Sequence, residues 1–254
     1  MIYRAKLHPH SILITGAAGG IGSALARVYA APGRHLFLGD INAAGLEELT
    51  EECRARGAEA QWTQVDVTDK GAMAAWIKAA DNIKPLDLVV MLAGVAYGAA
   101  DQEETPEQTR WTFAVNLEGM LNTLEPALPL FRQRGRGQLA FMSSHGACRG
   151  FPIAPSYSAT KAAIRVYGEG LQAVLKRENI LVSVIIPGFV QTPMTDANDF
   201  MMPFRLSAAR AARIIQRGLA RERPRICFPR PMNAAVYFLS LLPKALVDRL
   251  VALK

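Results

Sequence analysis

The chain has 254 residues, half of them hydrophobic and a fifth charged, enough for one large domain with a sizeable core. Its formal charge is +7, yet residues 1–204 carry 18 Lys+Arg against 20 Asp+Glu, while residues 205–230 carry eight arginines and one acid, Glu222. Basicity confined to the C-terminal third differs from the diffuse footprint of a nucleic-acid binder, and with no aromatic stacking platform beside the arginines that class is the weakest of the readings.

Short β-rich runs alternate with longer helical stretches. In chain order the sequence predicts a strand at Ser11–Thr15, a helix at Gly20–Ala31, a strand at His35–Gly39 and a helix at Ala43–Arg56. A strand at Glu59–Val65, a helix at Lys70–Asp81, a strand at Leu86–Leu92 and one long helix at Thr105–Gln133 follow. Then come a strand at Gln138–Ser143, a helix at Ser156–Glu178, a strand at Leu181–Ile186, a helix at Ser207–Glu222 and a seventh short strand near Arg225–Phe228. Leu88–Leu92 and Val182–Ile186 are nearly continuously apolar, as strands buried on both faces are. The expected fold is α/β: one doubly wound parallel sheet of about seven strands with helices on both faces. No linker or repeat divides residues 1–254, so one domain is expected, with 195–230 as a substrate lid and arginine-rich helix and 231–254 as an apolar, basic tail.

No apolar run reaches the ~20 residues of a membrane-spanning helix. Met1–His10 is too short and too polar for a secretory signal, so a cytoplasmic location is expected. Three widely spaced cysteines, Cys53, Cys148 and Cys227, fit free thiols in a reducing compartment, and the four scattered histidines offer no metal-ligand spacing.

Thr15-Gly16-Ala17-Ala18-Gly19-Gly20-Ile21-Gly22 follows the first strand and opens the first helix. Glycines there let the backbone turn tightly and approach a pyrophosphate, and the helix N-terminus offers free N–H groups and a positive dipole end. The run reads as the phosphate cradle of a Rossmann-type sheet, with an ordinary glycine-rich strand–helix turn as the alternative when it is taken alone. Asp40 closes the second strand, where a carboxylate accepts from adenosine ribose hydroxyls and repels a 2′-phosphate. Ile41 and Asn42 follow it and Ala18 lies inside the loop, so NAD is favoured over NADP, with Arg34 and His35 as the opposing observation.

Tyr157 and Lys161 are four apart in a predicted helix, on one face and one turn apart. A phenol has a reference pKa of about 10, and a neighbouring ammonium lowers it toward neutrality. Ser144 lies just past a strand and could hydrogen-bond the reacting oxygen. A Tyr-x-x-x-Lys tetrad alone is common by chance; its order after the glycine run points to a nicotinamide-dependent oxidoreductase.

These motifs resemble the short-chain dehydrogenase/reductase family in its compact single-domain form, from about residue 10 to about 195. The resemblance rests on the glycine run, Asp66-Val67, Ala93-Gly94, Asn116, Ser143-Ser144, Tyr157-Ser-Ala-Thr-Lys161 and Pro187-Gly188-Phe-Val190-Gln-Thr192-Pro-Met194. It implies that Tyr157 is the general acid/base, that Lys161 lowers its pKa and holds the nicotinamide ribose, and that Ser144 orients the substrate oxygen. It further implies that Asn116 holds a water of the proton relay, that Asp66 and Val67 flank the adenine, and that Val190 and Thr192 meet the carboxamide. Where the family usually has Asn-Asn-Ala-Gly, this chain has Met91-Leu92-Ala93-Gly94, so side-chain ties between strands are expected to be lost.

In Ser207–Glu222, Ala208, Ala211, Ala212, Ile215 and Leu219 fall on one side and Arg210, Arg213, Arg217 and Arg221 on the other. The arginine stripe reads as a solvated face, as a grip on an anionic substrate together with Arg205, or as a face toward anionic lipid. The tail, Ala234–Leu242 with Lys244–Lys254, is too short to span a bilayer, and fits a subunit contact better than an interfacial helix. The expected function is hydride transfer between NAD(H) and a secondary alcohol or ketone, within a homodimer or homotetramer. Phe151, Pro152, Ile153, Phe189, Met194 and a Met201–Phe204 lid would make the pocket apolar and suit a hydrophobic or lipid-like substrate. His145 and Arg149 near Ser144 keep an anionic sugar-type substrate open, and a cofactor-binding regulatory or membrane-peripheral protein is the rival class.

Overall fold

The computed structural model describes residues 8–97, 103–148, 150, 153–196 and 202–241. Strands β1 (Ser11–Thr15), β2 (His35–Asp40), β3 (Glu59–Gln64), β4 (Leu88–Met91), β5 (Gly137–Met142) and β6 (Ile180–Pro187) alternate with helices α1 (Gly20–Tyr29), α2 (Ala43–Ala55), α3 (Lys70–Ile83), α4 (Pro106–Phe113), α5 (Gly119–Arg134) and α6 (Pro155–Leu175). A short strand β7 (Val190–Gln191), a helical turn α7 (Pro193–Asp196) and β8 (Leu206–Ser207) precede α8 (Ala208–Ala220), β9 (Arg225–Phe228) and α9 (Arg230–Leu241).

Seven strands form one parallel sheet in the order β3-β2-β1-β4-β5-β6-β9. The order reverses between β1 and β4, which opens a crevice beyond their C-terminal ends where such folds bind ligands. The expected α/β fold is therefore the observed one. β4 and β5 are buried at every position, because helices cover both sheet faces. One core layer joins Ile12, Ile14, Leu36 and Leu38 to Leu25 of α1 and to Ala211, Ala212, Ile215 and Leu219 of α8. The other joins Leu13, Val89, Leu139 and Phe141 to Met73, Leu124, Phe131 and Ile164. Burial of these side chains, at roughly 25 cal/mol per Å² of apolar surface, is the main force holding helices to sheet.

Two differences from the sequence reading matter. The expected helix 105–133 is two helices, α4 and α5, joined by a wider π turn at Ala114–Glu118. The pair β7–β8 had no pattern to announce it, since two residues cannot show alternation. The arginine-rich helix separates as expected: Arg210, Arg213, Arg217 and Arg221 are exposed, opposite the buried alanines, Ile215 and Leu219. Among the described residues no helix is long and apolar enough to cross a membrane.

Candidate active site

The glycine loop leaves β1 at Thr15. Gly16 has φ +67°, a left-handed conformation that favours glycine. A Cβ on Gly22 would run into the Gly16 carbonyl oxygen, and one on Gly20 would lie 2.5 Å from Thr192 Cγ2. No side chain caps α1 and no acid sits in its first turn, so the N–H groups of Gly20, Ile21 and Gly22 lack intrahelical acceptors. That is a site for an anion. Asp40, at the end of β2, accepts from Ala18 N–H at 3.0 Å and from Asn42 N–H at 3.1 Å, and thereby ties the loop to the second strand. Ile41 beside it is 65% exposed. Asp66 accepts from the N–H and the hydroxyl of Thr68, both at 2.8 Å, which turns the chain after β3. Val67 is buried against Gly119, and Asn122 Nδ2 donates to its carbonyl at 2.9 Å.

At the end of β4, Met91 and Leu92 offer no polar side chain. The tie between β1 and β4 that sequence reading expected to be lost is supplied from the other strand: Thr15 Oγ1 accepts from Leu92 N–H at 3.2 Å and from Ala93 N–H at 3.4 Å. A Cβ on Gly94 would lie 3.0 Å from Asn116 Oδ1 and 3.2 Å from Lys161 Nζ, so a side chain there would press on both. Asn116 stands in the π turn, 1% exposed, and its Nδ2 donates to Val95 O at 2.9 Å and to Thr160 Oγ1 at 3.1 Å.

Ser144 follows β5, and its hydroxyl accepts from Gly146 N–H at 3.1 Å. The same hydroxyl lies close enough to the Tyr157 phenol to act on its titration. Lys161, one turn further along α6, is 3% exposed; its Nζ donates to Met142 O at 3.1 Å and lies 5.5 Å from the centre of the Tyr157 ring. The expected lowering of the Tyr157 phenol by Lys161 is not seen: burial pushes the phenol up, the Ser144 hydroxyl acts against that, and burial brings the Lys161 ammonium down to about 8. No carboxylate pairs with Lys161 among the described residues. An unneutralised buried cation beside a phenol and a hydroxyl is an arrangement for holding and passing one proton.

The model of the short chain dehydrogenase family matches residues 10–201, which span the glycine loop, Asn116 and the Ser/Tyr/Lys set. The chain belongs to the short-chain dehydrogenase family. It is 32% identical over 246 residues to a protein of Myxococcus xanthus described as an uncharacterized oxidoreductase, covering 96% of this chain and 97% of that one. A 3-oxoacyl-[acyl-carrier protein] reductase of Brucella melitensis, solved with bound NAD, superposes with a TM-score of 0.71 at 30% identity over 83% of this chain and 84% of that one. A short-chain dehydrogenase/reductase of Burkholderia phymatum in complex with NAD shares the fold with a TM-score of 0.82 at 23% identity, covering 92% and 94% of the two chains. As a family member the chain is a nicotinamide-dependent oxidoreductase acting on a small molecule.

Beyond β6 of this short-chain dehydrogenase, Gly188 N–H donates to Phe228 O at 2.7 Å, which fixes Pro187-Gly188 to the end of β9. Val190 is buried, and Thr192 N–H donates to Thr195 Oγ1 at 3.1 Å. Arg205 pairs with Asp196 and donates to Thr195 Oγ1, so it clasps α7 instead of standing free for an anionic substrate. Of the residues expected to line the pocket, Ile153 and Phe189 are half-buried and Met194 and Phe204 exposed; Arg149, Phe151, Pro152 and Met201 lie outside the described residues.

One residue escaped the sequence reading. α6 has no side-chain cap at Ala154, and Glu104, far away in sequence, accepts from Ser156 N–H at 3.2 Å. A carboxylate at the start of the helix that carries Tyr157 satisfies an orphan donor and complements the helix dipole. Nothing in the local sequence announces it, because the partners are 52 residues apart.

Proposed function

We propose that the chain transfers hydride between NAD(H) and the carbon of a secondary alcohol or ketone, with Tyr157 as general acid/base. The observation that carries this reading is the buried Lys161, its Nζ 5.5 Å from the centre of the Tyr157 ring and without a carboxylate partner among the described residues. In this reading Ser144 holds the substrate oxygen and Tyr157 exchanges its proton. Lys161 supplies a positive charge beside the phenol, which would favour the phenolate against the burial that raises it. Asn116 positions the loop after β4, and its second Oδ1 lone pair is left for a relay water.

The nicotinamide supplies or accepts the hydride. The residues fit such a cofactor: the loop Gly16–Gly22 forms a cradle that a Cβ would fill, and α1 presents free N–H groups to a pyrophosphate. Thr15, Gly16, Ala18, Gly20, Ile21 and Gly22 would hold the phosphates, and Asp40 and Ile41 the adenosine ribose. Asp66 and Val67 would flank the adenine. Ala93, Gly94, Lys161, Pro187, Gly188, Val190 and Thr192 would line the nicotinamide end. NAD over NADP is supported by Asp40 and by the place of Arg34, which donates to Pro9 O at the opposite end of β2, roughly 20 Å along the strand. Ile153, Phe189, Met194 and Phe204 support a hydrophobic substrate. A homodimer or homotetramer is the proposed assembly; Phe238 of α9, 63% exposed, is an apolar group a subunit contact would cover.

The test is Tyr157→Phe, assayed against a panel of hydrophobic secondary alcohols and ketones. Turnover should fall by roughly 10²-fold or more, the contribution of general acid–base catalysis, while NADH affinity is kept. Turnover within tenfold of the parent removes Tyr157 from the proton step.

A further inference from the structure

Cys148 and Cys227 are far apart in sequence, yet three independent restraints bring them to one place. The first is the alternation of β9. Ile226 and Phe228 are buried in the core layer beneath α8, so Arg225 and Cys227 point to the other sheet face, where α6 packs. The second is α6 itself. Arg225 pairs with Glu169 at 2.8 Å, and one helical turn earlier Arg165 Nη1 donates to Cys148 Sγ at 3.3 Å. Moving from Glu169 to Arg165 travels about 6 Å toward the C-terminal edge of the sheet. Moving from Arg225 to Cys227 travels about 6.6 Å in the same direction, since a crossover helix runs antiparallel to its strands. The steps match, and they bring Cys227 to the same level along the strands as the sulfur of Cys148.

The third restraint comes from the turn that carries Cys148. His145–Ala147 form a single 3₁₀ turn directly before it. His145 packs on Gly188, whose N–H donates to the carbonyl of Phe228, the neighbour of Cys227. Each cysteine is partly buried and free. The charges of Cys148 and Arg165 are both felt at Cys227, whose thiol burial pushes up.

We propose that Cys148 and Cys227 form a reversible dithiol/disulfide pair whose reaction partner is an oxidised low-molecular-weight thiol. Cys148, beside the Arg165 guanidinium, gives up its proton to solvent and its sulfur attacks one sulfur of R–S–S–R. The S–S bond of the reagent breaks, a mixed disulfide forms, and the departing thiolate takes up a proton. The Cys227 thiol then gives its proton to solvent, its sulfur attacks the Cys148 sulfur and expels the second R–S⁻, which is protonated in turn, and the internal bridge closes. Two protein thiols are oxidised and one R–S–S–R is reduced to two R–SH. Cys53 stands apart, fully buried in the core between α2 and the sheet, with its thiol pushed up to about 11 by burial. The bridge would tie the segment between Ser144 and Tyr157 to the end of β9.

The experiment exposes the native full-length chain to excess oxidised glutathione, then quenches, denatures and counts thiols. The expected result is a fall from three free thiols to one, a mass lower by two hydrogen atoms, and a proteolytic peptide joining Cys148 to Cys227. Cys148→Ser and Cys227→Ser should each fail to lose the two hydrogens and should end as a glutathione adduct on the remaining partner. The peptide map of the parent chain decides the question even where a variant does not fold. Retention of three thiols, a bridge that includes Cys53, or a bridge between two chains overturns the proposal.

Discussion

Asn116 holds Val95 at two points: its Oδ1 accepts the Val95 N–H at 2.7 Å and its Nδ2 donates to the Val95 carbonyl at 2.9 Å. The π turn at Ala114–Glu118 aims the amide inward, and the same Nδ2 reaches Thr160 on α6. One side chain thus joins β4, the α4–α5 junction and the helix that carries Tyr157 and Lys161. Asn116→Ala would leave the backbone groups of Val95 without these partners, and each buried unpaired group costs about 1–3 kcal/mol. We expect a lower urea midpoint with an unchanged denaturant slope. An unchanged midpoint would mean that the clamp carries no stability.

Two glycines of α6 should respond in opposite directions. A Cβ on Gly170 would meet nothing within 4 Å, and the residue is exposed in a helix interior. Gly170→Ala should stabilise the fold by about 0.5–1 kcal/mol, through the smaller entropy loss of alanine. A Cβ on Gly168 would lie 2.9 Å from Val184 Cγ2 and 3.4 Å from Phe141 Cγ. Gly168→Ala should destabilise by about 1–3 kcal/mol, because the helix would have to lift from the sheet. Thermal unfolding of the two variants beside the parent decides this, and a shared sign would show that the α6–sheet spacing is not as described.

The contrast also shows what a sequence displays and what it hides. Signals that repeat along one element were legible: the apolar runs of β4 and β6, the glycine loop after Thr15, the four-residue step from Tyr157 to Lys161, and the two faces of α8. Signals that depend on a distant partner were not. The hydroxyl of Thr15 replaces ties that Met91 and Leu92 cannot make, and Glu104 caps a helix 52 residues away. Arg205 looked available to a substrate until Asp196 was seen to hold it. The π turn at Asn116 adds one residue to a helical ring, too small a change of period to read among the apolar residues of 105–133.

Asp40 gives a separable test of coenzyme choice. Asp40→Asn retains an acceptor oxygen for the Ala18 N–H and removes the charge. The loop should therefore keep its shape while the repulsion of a 2′-phosphate is lost. The preference for NADH over NADPH should fall by about tenfold or more, the equivalent of about 1.4 kcal/mol. Titration of both coenzymes against parent and variant measures it, and a parent that prefers NADPH would remove Asp40 as the selector.

Lys161 predicts how stability depends on pH. Burial brings its ammonium down to about 8 from an ordinary value of 10.5. Between those values the unfolded chain holds a proton that the folded chain has released. Stability then rises with pH, at up to about 1.4 kcal/mol per pH unit from this group. Below the folded value both states are protonated, and the whole cost of burying the cation is present. Lys161→Met keeps the length of the side chain and removes the charge, so that cost disappears. The stability difference between parent and variant should be flat below about pH 8 and should shift in favour of the parent as pH rises toward about 10. Urea unfolding of both proteins across that range cancels the contribution of every other titrating group. A difference that does not change with pH would mean that Lys161 is solvated in the folded chain, and the buried cation invoked for Tyr157 would go with it.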